Sequence, residues 1–163
     1  MYLIRSLVKT SFILFITLFS FNLIAQNNLS SDSMKWEILI SGNQCLIEYP
    51  ESLVLKTPEA FQVLWNRAFA KMDVPPGRPT VDFEKYHVAA IFSGWKKKGG
   101  YILDIENIKL EKKEMVIYFL EKEPGSNCMS AAVIDFPFLL VKIPFGEIGA
   151  YRFNHRKLTY DCP

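Results

Sequence analysis

The chain has 163 residues, of which half are apolar and 22% charged, a size that suits one domain with a sizeable core. Its 19 basic and 17 acidic residues leave a formal charge of only +2, so bulk charge does not favour nucleic acid or another polyanion.

The first 25 residues are unlike the rest. Arg5 and Lys9 are the only charges before Asp32, and an almost wholly apolar run extends from Ser11 to Ala25. A basic start, an apolar centre and a small residue before Gln26 form the pattern of a cleaved export signal. A membrane anchor is the competing reading, but the run falls short of the roughly 20 apolar residues a spanning helix needs. Cleavage would remove Arg5 and Lys9, leaving a neutral mature chain in the periplasm or outside the cell, without integral membrane association. The expected organisation is a signal peptide over 1–25, a flexible polar leader over 26–35 and one domain over 36–163.

Strand-like runs open the domain at Trp36–Ser41 and Cys45–Tyr49. A single helix is well signed after them. Thr57 can cap it, Pro58 suits its first position, and Glu59 favours its positive end. Phe61, Leu64, Trp65, Ala68 and Phe69 then recur three and four apart, giving one apolar stripe to lay on a sheet. The Val74–Pro79 loop, with Pro76 and Arg78, cannot continue the helix. Six further strands are expected at Tyr86–Gly94, Tyr101–Leu110, Met115–Leu120, Met129–Phe136, Phe138–Ile143 and Tyr151–Tyr160. With short links and no strand-helix-strand rhythm, the fold class is α+β: a mostly antiparallel sheet or open barrel with one helix packed against it.

Between two of those strands, Trp95-Lys96-Lys97-Lys98-Gly99-Gly100-Tyr101 raises the question of a phosphate loop. Such a loop needs its lysine after the glycines and at the start of a helix, whereas here the lysines come first and a strand follows. A dinucleotide fingerprint lacks its third glycine, and three lysines on a neutral chain read as a solvated hairpin tip. The stretch is expected to be a tight turn in which Gly94, Gly99 and Gly100 are structural, with Trp95, Lys97 and Tyr101 as candidate contact residues.

Trp65, Val81-Asp82-Phe83, Gly94, Gly99-Gly100-Tyr101, Pro124-Gly125, Pro137 and Val141-Lys142-Ile143-Pro144 occur in an order that resembles the C-terminal domain of the PrcB family of exported protease-complex subunits. The resemblance runs from about Ile38 to Pro144. It departs at Ser130–Pro137, where a threonine-rich segment is expected, and at the lysine run. It implies an accessory role: a subunit that helps assemble or stabilise a secreted protease without being the catalyst.

Catalytic chemistry finds little to build on. His87 and His155 are the only histidines; His87 starts a strand and His155 has polar neighbours on both sides, which reads as solvated. Cys128 follows a Pro-Gly turn but lacks the surroundings of a nucleophile. The carboxylate pairs Asp82/Glu84, Asp104/Glu106 and Glu121/Glu123 read as ordinary polar faces or strand ends. Neither metal hooks nor a cofactor motif occur, so none of either is expected. Of three cysteines, the expected pair is Cys45–Cys162, which would pin the end of the chain to its opening strand and leave Cys128 free; three reduced thiols are the alternative.

The function expected is that of a non-catalytic exported interaction domain that stabilises or modulates a secreted or envelope protease. Its contact surface would combine Pro76, Arg78, Trp95, Lys97, Tyr101 and Gly125. An enzyme of unrecognised type, a protease inhibitor and a small-ligand module remain the alternatives.

Overall fold

The computed structural model describes residues 33–129, 131–146 and 148–162. The expected signal peptide and most of the expected leader lie outside them. The elements are β1 (Glu37–Gly42), β2 (Pro50–Leu55), α1 (Pro58–Phe69), β3 (Tyr86–Ser93), β4 (Ile102–Glu111), β5 (Glu114–Pro124), β6 (Phe138–Pro144) and β7 (Ala150–Tyr160). They form a four-stranded sheet, β1-β6-β3-β2, and a three-stranded sheet, β4-β5-β7. All pairs are antiparallel except β5 with β7, and the sheets do not close into a barrel.

Helix α1 forms as its residues dictate. Thr57 Oγ1 accepts from the Ala60 N–H at 3.2 Å, Pro58 opens the first turn, and the five stripe residues are all buried. They rest on one face of the four-stranded sheet, against Val88, Ala90, Phe92, Phe138 and Leu140. The alternate residues of the same strands, Ala89, Ile91, Leu139, Val141 and Ile143, meet Leu103, Ile105, Ile108, Met115, Ile117 and Phe119 of the second sheet. The molecule is therefore three layers: helix, sheet, sheet. Strands β3 and β6 are apolar on both faces because both faces are covered.

Several expectations need correction. Cys45–Tyr49 is not a strand; it wraps the helix end, where the Leu46 N–H donates to Ala68 O at 2.9 Å and Cys45 and Ile47 are buried. The strand in that region is β2, starting at Pro50, whose missing N–H is harmless on a sheet edge. Met129–Phe136 is not a strand either. The strand it leads into, β6, already has β1 and β3 on its two sides, so apart from an Asp135–Lys96 bridge no edge is left for it there.

The expected hairpin around Gly99 and Gly100 is instead a crossing between layers, since β3 and β4 belong to different sheets. The tight hairpin sits elsewhere, at Lys112-Lys113, both with positive φ, joining β4 to β5. Finally, the disulfide is Cys128–Cys162, with the Cα atoms 5.0 Å apart, and Cys45 is the free, buried thiol. The cause is the parallel register of β5 and β7, which sets Tyr160 beside Pro124 and delivers the chain end to the turn that holds Cys128.

Candidate functional site

The alternation of β5 places Met115, Ile117, Phe119 and Glu121 on the face turned toward the other sheet. The first three are core; Glu121 is a carboxylate in phase with them and only 4% exposed. Strand β7, in parallel register, sets Tyr151, Phe153, His155 and Lys157 alongside. Where the apolar filling ends at Phe119 and Phe153, the space between the sheets opens into a cleft of about 360 Å³. It is lined also by Pro50, Glu51 and Ser52 of β2 and by Ser93 and Lys96.

Glu121 is held by two groups. Lys96 Nζ donates to its Oε1 at 2.5 Å, and His155 Nε2 lies 3.1 Å from its Oε2. The His155 ring stacks on Phe119 at 4.5 Å between centroids, almost parallel, which fixes the imidazole plane. Lys96 Nζ also lies 5.1 Å from the centre of the Tyr101 ring. A buried carboxylate is tolerated in this setting because its charge is answered on both oxygens. Among the described residues no hydroxyl or thiol is bonded to His155, so the group forms a satisfied charge network and not a nucleophile with its base.

The lysine run thus has three different environments. Lys96 is largely buried on Glu121, Lys98 Nζ donates to Pro124 O at 2.7 Å, and Lys97 alone is free to solvent. Tyr101 is turned inward and 8% exposed; its hydroxyl donates to Glu123 at 3.0 Å, and its pKa is pushed up to about 12 by burial and that carboxylate. Trp95 is half exposed.

Gly94 and Gly100 both adopt positive φ, +68° and +98°. A side chain at Gly94 would meet Glu48 O at 2.7 Å, and one at Gly100 would press on the Tyr160 hydroxyl at 3.2 Å. Gly99 is buried and its N–H donates to Ala131 O at 3.1 Å.

Two of the three expected contact segments come together. The Trp95–Tyr101 crossing and the Pro124–Cys128 turn are joined through Lys98 and Tyr160, and the Gly125 N–H is itself engaged by Tyr160 O at 2.8 Å. The Val74–Pro79 loop does not join them. Arg78 lies 5.8 Å from the centre of the Phe61 ring, in the helix layer, and Pro76 is half buried. Reading the sequence missed the Glu121, Lys96, His155 and Lys157 group. The available signal was the phase of Glu121 with the apolar face of its own strand.

Among the described residues, no group of three or more His, Cys, Asp or Glu is placed to hold a metal ion. No helix among them is long and apolar enough to cross a membrane. Residues 87–144 match the family model described as PrcB C-terminal. The match begins in β3 and ends with β6, so Trp65 and Val81–Phe83 fall outside it. No curated protein matches the chain. Nor does any solved structure.

Proposed function

We propose that the chain is an exported accessory domain that binds a secreted or envelope protease and changes its stability or activity. The PrcB C-terminal match over 87–144 carries this reading. The basic, apolar, small-residue pattern of the first 25 residues supports export, and the Cys128–Cys162 bond suits an oxidising compartment. In this reading residues 1–25 are removed and the domain acts as a single unit. The contact surface lies where the Trp95–Tyr101 crossing, the Pro124–Cys128 turn and the charged cleft meet, with Trp95 and Lys97 as its free side chains.

Affinity capture from the exported fraction of the native cell tests it, comparing wild type with Trp95→Ala. Recovery of a protease whose lifetime or activity shifts when the domain is added is the expected result. Capture of no protease by the folded wild type, together with peptide turnover by the purified domain alone, would overturn it.

A further inference from the structure

Among the described residues, strand β7 is the outer strand of its sheet, and for the 11 residues from Ala150 to Tyr160 its only ladder is with β5. The register runs unbroken from Glu114↔Ala150 to Pro124↔Tyr160, with neither a bulge nor a proline in β7. Those are two of the devices that blunt an edge against another strand; β7 carries instead the charged side chains of a third. The backbone groups on its outer side have the spacing and polarity that only an extended polypeptide complements.

Two observations say what that polypeptide is. The opposite edge of the sheet is met by the chain itself: Ser33 bridges Lys109, and the Met34 N–H donates to Ile108 O at 2.9 Å. Among the described residues, the start of the chain thus arrives at β4. Charge supplies the second. Between Ala150 and Tyr160 stand Arg152, His155, Arg156 and Lys157, and no carboxylate. Arg152 reaches Glu114 of β5 and Glu111 of β4, Arg156 reaches Glu106 of β4 and His155 lies on Glu121 of β5, while Lys157 has no ion-pair partner among the described residues. A second copy laid along β7 would bring no carboxylate to Lys157, which disfavours that pair. A segment bearing carboxylates would find an unanswered cation at Lys157, exposed at this edge.

We propose that β7 takes up an extended, acidic peptide segment of a partner protein as an added strand. This rests on the interaction role proposed above and names the chemistry of its partner. Alternate side chains of the added strand enter the cleft beside Pro50, Ser52 and Ser93, where Lys157 receives a carboxylate. The same lysine, turned toward the cleft, excludes uncharged strands that bring nothing to pair with it.

The test uses a capped peptide of about nine residues alternating Thr or Val with Glu, a version with Lys for Glu, and a version N-methylated at alternate amides. The Glu peptide is expected to slow amide exchange of β7, while the Lys and N-methylated versions bind at least about tenfold more weakly. Lys157→Glu is expected to weaken the Glu peptide by about tenfold at unchanged circular dichroism; Lys157→Gln serves if that variant does not fold. Exchange protection elsewhere, equal binding of the Lys peptide, or no binding at millimolar peptide would overturn the proposal. A captured protease that leaves β7 exchange unchanged refutes strand addition but keeps the interaction role. Protection of β7 by the Glu peptide, with no exported partner found, does the reverse.

Discussion

Lys96 and Lys97 are adjacent, chemically identical and opposite in consequence. Lys96 answers a carboxylate that is 5% exposed, so Lys96→Ala leaves Glu121 with only His155 and is expected to cost about 3 kcal/mol. Lys97→Ala is expected to change stability by no more than about 0.5 kcal/mol, as an exposed residue does. Denaturant titration of the two variants measures the difference; equal losses would contradict the assignment. Nothing in a run of three lysines tells them apart, because the distinction is made by a residue 25 positions away on a strand of the other sheet. His87 offers a second test. Burial, and then the Lys56 charge, hold its imidazole below the ordinary value, and its Nδ1 lies 2.5 Å from the Tyr151 hydroxyl. The unfolded chain therefore takes up a proton that the fold resists, so stability is full above about pH 6.5 and falls as pH drops below it. Melting temperatures between about pH 7.5 and 5.5 are expected to fall more for wild type than for His87→Gln. Equal slopes would exclude His87 as the group responsible.

At the scale of elements, the helix was legible because everything that forms it is local: a cap, a proline, an acid and a stripe at helical spacing. The strands with clear apolar runs were legible for the same reason. The Lys112-Lys113 hairpin was not, since its φ values of 49° and 71° ask for Asn-Gly and the residues say otherwise. Glu111 and Glu114 close this turn as a like-charged pair, and Arg152 reaches both. Replacing Lys112-Lys113 by Asn-Gly is expected to raise stability by about 0.5–1 kcal/mol, read as a shift of denaturation midpoint. An unchanged or lowered midpoint would show that the lysines adopt the turn without strain. Cys45–Tyr49 and Met129–Phe136 looked like strands because alternation reports a covered face, not hydrogen-bonding neighbours. The first is covered by the helix end, and the second runs into β6, whose two edges are already taken.

For the whole molecule, the class of fold could be read from strand count and one helix, but the division into two sheets could not. That division depends on which strands pair, and β3 and β4 separate although only eight residues lie between them. The disulfide followed the same hidden fact. Ser replacement of both Cys128 and Cys162 is expected to cost about 3 kcal/mol and to loosen the end of β7 first. In the native wild type a thiol reagent should label nothing, and after unfolding it should label Cys45 alone, because burial raises that thiol's pKa and shields it. Labelling of Cys128 without reduction would contradict the pairing.

The central claim, that this domain serves an exported protease and is not itself the catalyst, is tested most directly by exported proteolytic activity. The activity is measured in cells lacking the chain, before and after the purified domain is added back. Activity or its decay rate is expected to change on loss, to return with added wild type, and to be absent from the purified domain alone. Proteolysis that is indifferent to the chain, or that the purified domain carries out by itself, would contradict it.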